Sequence, residues 1–300
     1  GSIGSIHAQI YARLPQAHLV AVCDTDRKRA HRIARQLGCL ALSDPRQLVG
    51  QIEAASVAVP TSVHHVVGVP LLQAGIHVLM EKPIAATLTQ ADALLEAARR
   101  SGALLQVGHI ERFNAAIEAA RRYLTHPRFI EADRLSPYPV RARGTDVSVV
   151  LDVMIHDLDL VLHLVRSRPT AIEAVGISVL SPSEDIANAR IRFASGCVAT
   201  LTASRISDES LRRIRVFQEA AYLSIDFKHQ TAELARTSGG AVRRQTLRVR
   251  RRAPLDDELA DFLSAVASRR PPLVSGEEAR QALALALRIE RVMRRMQPAH

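Results

Sequence analysis

The stretch His77-Val78-Leu79-Met80-Glu81-Lys82-Pro83 decides the fold. A short apolar run ends in an acid, a lysine and a proline, and polar helix-starting residues follow. Such a run reads as a buried strand that delivers an ammonium group to its carboxyl end. In open α/β sheets, ligands bind outside the carboxyl ends of the strands.

The same rhythm repeats on both sides. Upstream, residues 18–24 read as a buried strand ending in Asp24, residues 26–37 as a helix closed by Gly38, and residues 39–42 as a short strand. A short helix from Pro45, a strand over 54–59 and a helix over 63–73 stopped by Gly75 follow. Downstream come a helix over 89–100, ending near Gly102, and a strand over 104–107. Strands alternating with helices predict a parallel, doubly wound sheet.

After Gly108 the rhythm changes. A helix over 114–124 leads into a strand over 129–135, a loop rich in Pro, Arg and Gly at 137–144, and a helix over 149–165. Strand-like runs then succeed one another at 171–180, 187–193, 198–204, 213–218, 221–226, 231–236 and 245–250, before helices at 256–268 and 276–296. Successive strands with turn punctuation predict an open, mostly antiparallel sheet. The expectation is an α/β chain with a Rossmann-like parallel sheet in residues 1–112. An α/β domain for substrate binding and oligomerisation follows in residues 113–300, its terminal helix packing back on the first.

The totals narrow the function classes. With 300 residues and 47% hydrophobic content, two ordinary cores can be buried. No apolar run approaches the roughly 18 residues a membrane span needs, and no signal-peptide pattern is present, so the expected location is the cytoplasm. Cys23, Cys39 and Cys197 are scattered, which fits a reducing compartment and argues against structural zinc. The net charge of +10 raises nucleic acid as a partner. That charge is spread over residues 27–35, 212–215 and 243–252, and 3% aromatic content leaves few stacking platforms. No nucleic-acid partner is expected; a diphosphate-bearing small molecule or an arginine-rich genome accounts for the charge.

Gly1-Ser2-Ile3-Gly4 has the spacing of the last two glycines of G-x-G-x-x-G and opens into a helix start at residues 5–12. A pyrophosphate sits well at such a helix N-terminus. The preceding strand and first glycine are not in the sequence, so the expectation is a sheet lacking its first strand and an N-terminally incomplete chain; a cloning remnant is the competing account of the glycines. Asp24 lies twenty residues beyond Gly4 at the end of the next strand. There a carboxylate accepts hydrogen bonds from the adenosine ribose and repels a 2′-phosphate, which favours NAD over NADP. The alternative for Asp24 is a turn acid capping the next helix. Pro60, Thr61 and His64 are expected over the nicotinamide half of the cofactor, with Glu81 and Lys82 beside it; ordinary loop and cap residues are the competing reading of the first three.

Asp152 and His156 stand four apart, so both side chains share one helical face. A carboxylate beside an imidazole orients it and raises its basicity, which suits a general base. Zinc binding and a plain buried polar pair compete, but no cysteine cluster or H-x-x-x-H accompanies the two, and no metal is expected. Asp157 and Asp159 are expected to cap or pair on other faces. A lysine at a strand end and an Asp/His pair from another domain suit alcohol oxidation: a base removes the hydroxyl proton, an ammonium stabilises the alkoxide, and hydride passes to nicotinamide.

Glu81-Lys82-Pro83, the Rossmann-like lead-in, Gly108 with Arg112-Phe113, and Asp152-x-x-x-His156 together resemble the glucose–fructose oxidoreductase/inositol dehydrogenase/rhizopine catabolism (Gfo/Idh/MocA) family over nearly the whole chain. The resemblance implies catalytic roles for Lys82, Asp152 and His156, and an open sheet face that forms a homodimer or homotetramer. Residues 107–114, 184–190, 200–205 and 221–226 look like its nucleotide-sugar branch. That likeness implies NAD-dependent oxidation of the C3 hydroxyl of a UDP-N-acetylglucosamine-type sugar, feeding an aminotransferase and lipid A or another cell-surface amino sugar. Arg112, Arg141, Arg143 and Arg205 flank predicted site elements and are expected to meet the diphosphate through bidentate contacts. Asn188 is expected at a sugar hydroxyl or acetamido group. A UDP-N-acetylhexosaminuronate substrate and a non-catalytic NAD-binding sensor remain the alternatives.

Overall fold

The computed structural model describes residues 1–137, 147–238 and 241–296. The chain divides into two compact units, Gly1–His109 with Leu255–Arg280 and Ile110–Pro254 with Gln281–His300.

The first unit contains α1 (Ser2–Tyr11), β1 (Ala21–Cys23), α2 (Arg27–Leu37), β2 (Leu40–Leu42), β3 (Ala54–Val57), α3 (His64–Gln73), β4 (His77–Met80), α4 (Leu88–Ser101) and β5 (Leu105–Val107). Its strands are all parallel but form two sheets, β1–β2 and β3–β4–β5. Local chemistry sets the helix ends. Asp26 accepts the Arg29 N–H to start α2, and Gly38 closes it at φ 69°. Thr87 accepts the Gln90 N–H to start α4, and Gly102 closes it at φ 72°.

The second unit contains α5 (Ala115–Ala120), β6 (Phe129–Leu135), α6 (Ile155–Val165), β7 (Pro169–Ile177), β8 (Ile186–Phe193), β9 (Val198–Ser204), β10 (Leu211–Gln218), β11 (Ala221–Asp226), β12 (Thr231–Ser238) and β13 (Ala241–Thr246). Its eight-stranded sheet has the order β13-β12-β11-β10-β6-β9-β8-β7. The β6–β9 pair is parallel and the others are antiparallel. The last strand begins before its predicted place, because β12 sets its register directly, with Thr237 opposite Val242. Two helices end the chain, α7 (Pro254–Ser268) and α8 (Gly276–Met296). By this division α7 belongs to the first unit, as does the start of α8.

Strand β4 is covered on both faces. Val78, Leu79 and Met80 are each 0% exposed. Leu79 packs with Ile10 of α1 and with Leu259 and Phe262 of α7. On the opposite face Met80 meets α3 and α4. A Cβ on Gly68 would fall 2.6 Å from Met80 Cε and 2.7 Å from Leu94 Cδ2, so a side chain there would have to displace both of these side-chain ends.

In the second unit, the 149–165 helix is not uniform. Val150–Met154 forms a π-turn in which the Ile155 N–H donates to the Val150 carbonyl, and α6 continues from it. Met154, Leu158 and Val161 pack on Ala187, Ala189, Leu201 and Ile214 of the sheet. A buried ion cluster ties this helix to β6. Arg134 donates to both oxygens of Asp157, at 2.9 and 2.8 Å, and to Glu111 Oε1 at 2.8 Å. Burial works against the Arg134 charge, but the two carboxylates outweigh it and raise its pKa. Asp157 thus pairs, as expected, with Arg134 of β6.

Removing the cation would leave two carboxylates buried without an answering charge. Arg134→Met is expected to destabilise the second unit by about 3–5 kcal/mol, measured by chemical denaturation followed by circular dichroism. A loss below about 1 kcal/mol would show that the cluster is not what ties α6 to the sheet.

Candidate active site

In the first unit, α1 follows Gly1 without a side-chain cap, the kind of helix start at which an anion is favoured. Gly4 lies against Ala58, to which an added Cβ would come within 3.6 Å. Asp24, just past β1, has Oδ2 2.9 Å from the Gly1 nitrogen. Burial pushes its pKa up, but hydrogen bonds from the Gly1 nitrogen, the Asp26 amide and Arg29 prevail, and the carboxyl sits below its ordinary range. A helix start without a side-chain cap, beside an aspartate, fits the pyrophosphate and ribose of NAD. Asp26, not Asp24, caps α2.

Pro60 and Thr61 follow β3 in a 3-10 turn, with Pro60 exposed and Thr61 half-buried. His64 departs from its expected place. It is 1% exposed, with Nδ1 3.0 Å from the Pro83 carbonyl and Nε2 3.0 Å from the Val59 carbonyl. Both ring nitrogens are turned to main chain, so His64 presents neither to a cofactor. Burial lowers its pKa against the pull of those carbonyls.

Beyond β4, Glu81 and Lys82 are half-buried and Pro83 is buried. Glu81 Oε2 accepts the Lys82 N–H at 3.2 Å, and Glu81 Oε1 lies 3.2 Å from His7 Nε2. Burial works to raise the Glu81 pKa, but His7 and Lys82 lower it overall. Gly108 closes on this carboxylate: a Cβ there would stand 3.3 Å from Glu81 Oε2.

In the second unit, Asp152 sits in the π-turn and His156 in the first turn of α6, both half-buried. Such π-turns recur at functional sites, because the wider turn re-aims a side chain. Sequence periodicity carried no sign of it.

The expected substrate arginines are placed differently. Arg205 is 2% exposed and spends its donors inside the unit, on Asp185 Oδ1 (2.9 Å), the Val147 carbonyl (3.0 Å), Ser181 Oγ (2.8 Å) and Ser183 Oγ (2.7 Å). It is a staple for residues 179–185, not a diphosphate ligand. Asp185, which also accepts three backbone N–H groups from that turn, is held well below the usual carboxylate range although burial opposes this. The Arg112 side chain is 2% exposed and faces Asp159 at 3.7 Å, so its charge is answered within the unit rather than at a surface. Asn188 lies on the wrong face of the sheet. Its neighbours Ala187 and Ala189 join the core with Met154 and Leu158, so Asn188 points to the other side from α6, where its Nδ2 donates to Thr202 Oγ1 at 3.0 Å. Arg141 and Arg143 lie outside the described residues.

Two groups near Lys82 were not foreseen. His7 sat unremarked in a helix start. Glu258 of α7 is 1% exposed, with no hydrogen-bond partner for Oε1. Its signal was available: an acid within the apolar stripe of Leu255, Leu259 and Phe262. Burial, then the charges of Glu81 and Asp261, push its pKa well above the ordinary value. Among the described residues, no group of three His, Cys, Asp or Glu is gathered to hold a metal, and no helix is long and apolar enough to cross a membrane.

Comparison with known proteins adds to this geometry. Residues 1–109 match the oxidoreductase family with NAD-binding Rossmann fold, and residues 115–224 match the GFO/IDH/MocA C-terminal domain. The chain is 37% identical over 296 residues to the UDP-N-acetylglucosamine 3-dehydrogenase of Acidithiobacillus ferrooxidans, covering 96% of this chain and 93% of that one. It is 28% identical over 306 residues to the myo-inositol 2-dehydrogenase of Thermotoga maritima, covering 95% and 91%. A solved structure of the Acidithiobacillus enzyme superposes with a TM-score of 0.93 at 36% identity, covering 99% of this chain and 96% of that one.

Glu258 has a testable consequence for stability. Its raised folded pKa means that the unfolded chain loses this proton first. Its contribution is therefore full below the ordinary carboxylate range and is lost as pH rises through the folded value. Glu258→Gln is expected to raise the thermal midpoint relative to wild type at pH 8, with the gap closing toward pH 4. A gap that does not change with pH would mean that Glu258 is ionised in the fold.

Proposed function

This chain belongs to the GFO/IDH/MocA family of oxidoreductases, with its NAD-binding Rossmann fold, and from that premise we propose that it oxidises the C3 hydroxyl of a UDP-N-acetylglucosamine-type sugar to a ketone. The observation that carries the substrate is the 37% identity, over nearly the full length of both chains, to an enzyme named for that reaction. Similarity to an inositol dehydrogenase supports the coarser reading, oxidation of a ring hydroxyl.

NAD, when bound, supplies the hydride acceptor. On this reading the start of α1, from Gly1 through Ser2 and Ile3 to Gly4, holds the pyrophosphate, and Asp24 accepts from the ribose hydroxyls. Pro60 and Thr61 border the nicotinamide. The Lys82 ammonium stabilises negative charge growing on the sugar oxygen. His156 takes the hydroxyl proton, and Asp152 orients its ring. The C–H electron pair leaves as hydride while the oxygen keeps the pair from the broken O–H bond, which closes the ketone. Of the five expected substrate contacts Arg141 and Arg143 stay in the reading, since Arg205 and Asn188 are engaged elsewhere and Arg112 is buried facing Asp159.

The 3-keto product would pass to an aminotransferase on the way to lipid A or another cell-surface amino sugar in the cytoplasm. Half-exposed Val175 and Ile177 on the open sheet face support assembly into a homodimer or homotetramer.

Absorbance at 340 nm, with protein, NAD, UDP-N-acetylglucosamine and an aminotransferase or keto-acceptor sink, tests the reading. Wild type is expected to form NADH. Lys82→Met and His156→Asn are each expected to lose about 10²- to 10⁴-fold in turnover while binding NADH normally by fluorescence. Near-normal turnover in both would remove the catalytic assignment. Turnover of inositols but of no nucleotide sugar would replace the substrate.

A further inference from the structure

Lys82 is one of three lysines in the chain, with Lys28 and Lys228, among forty Lys and Arg residues. A flexible four-carbon stem does not place an ammonium by itself; its main chain must be held. The contacts around it supply two anchors, one on each side.

The first anchor runs through Glu81. One carboxylate oxygen accepts the Lys82 N–H, and the other lies 3.2 Å from Nε2 of His7. The His7 side chain is 2% exposed, so it reaches Glu81 from inside the unit. The Gly108 N–H donates to the Met80 carbonyl at 2.8 Å, and a Cβ at Gly108 would stand 3.3 Å from Glu81 Oε2, so a side chain there would crowd the carboxylate.

The second anchor runs through Pro83. Its carbonyl faces His64 Nδ1 at 3.0 Å, while His64 Nε2 faces the Val59 carbonyl at 3.0 Å. A neutral imidazole carries one N–H and donates to one of the two oxygens. Either way the ring is wedged between the chain leaving β3 and the residue after Lys82.

We infer that His7 and His64 are positioning residues for Lys82: they bracket it, His7 through a 3.2 Å charge contact with Glu81 that lies outside hydrogen-bond geometry and His64 through Pro83, and touch neither cofactor nor substrate. Each comes from an element that also borders the cofactor site. His7 is carried by α1, whose first turn fits the pyrophosphate, and His64 begins α3 directly after the Pro60–Thr61 turn. The lysine is thereby placed in register with the cofactor-binding loops rather than left to the strand alone.

This inference rests on the proposed role of Lys82 in hydride transfer, so its test carries one readout that needs no activity. Side-chain geometry picks the variants. A glutamine amide nitrogen reaches where Nε2 stands, and an asparagine amide nitrogen where Nδ1 stands. His7→Gln keeps a group facing Glu81, and His7→Leu removes it. His64→Asn keeps the contact with Pro83, and His64→Gln exchanges it for the one with Val59.

His7→Leu and His64→Gln are expected to lower kcat by about 10- to 100-fold, the scale of a misplacement near 1 Å. KM for the sugar and the Kd for NADH should stay within about threefold, and His7→Gln and His64→Asn should recover most of the rate. In parallel, labelling by an amine-reactive reagent, read by mass spectrometry, compares Lys82 with the exposed Lys28 and Lys228 in the same molecule. The Lys82 ratio should change several-fold in the two disruptive variants and return in the two conservative ones. Equal loss in all four variants, or wild-type kcat and labelling in His7→Leu and His64→Gln, would overturn the inference. Absence of any hydride transfer in wild type would sink the functional reading instead, and the labelling ratios would still decide whether the two histidines place the lysine.

Discussion

A strand buried on both faces can carry polar chemistry only where it ends, and β4 is such a strand. Helices α1 and α7 close over Leu79, and α3 and α4 over Met80, so from Val78 to Met80 no side chain meets water. The first residues past it are Glu81 and Lys82, and a charge emerging from so dense a wall must be answered at once. The Lys82 amide donates to the Glu81 carboxylate and His7 lies 3.2 Å from it for that reason. The same crowding that makes the carboxylate costly to bury makes its position definite. A ligand at this edge then meets a lysine whose neighbours on both sides are held.

The requirement to answer buried charge also sorts the arginines. On the surface, pairs such as Arg46 with Asp44 and Arg99 with Glu96 are exposed and contribute little. Inside, Arg134 gathers Asp157 and Glu111, and Arg205 gathers Asp185 and two serines, and these contacts join segments distant in sequence. An arginine next to a site motif is as readily a staple as a ligand. Arg205 is of the first kind because the fold buries it, and a buried guanidinium must find its acceptors within the protein. Glu258 shows the other outcome. Buried, with Glu81 and Asp261 nearby and no hydrogen bond at Oε1, it has its pKa driven up.

Much of the architecture was legible because its signals are local. The alternation of strands and helices through residue 107, the run of strands after residue 129 and the last two helices all follow from side-chain periodicity. Asp26 with Gly38 and Thr87 with Gly102 mark helix ends through contacts within one turn. The π-turn that holds Asp152 was not legible, since one extra residue in a turn leaves the apolar stripe almost unchanged. Nor was the side of the sheet that Asn188 faces toward. Alternation separates the two faces of β8, but only the seating of α6 says which one becomes the core.

The sequence by itself determined the kinds and order of the elements, the delivery of Lys82 to a strand end, the acid Asp24 at the end of another, and the four-residue spacing of Asp152 and His156. Only the tertiary structure decided which polar groups meet: His7 with Glu81, His64 with Pro83, Arg205 with Asp185, and Glu258 with no partner at Oε1. Periodicity expresses whether a side chain prefers the inside or the outside. The partner it finds there depends on which elements are stacked against it, and no window of neighbouring residues contains that choice.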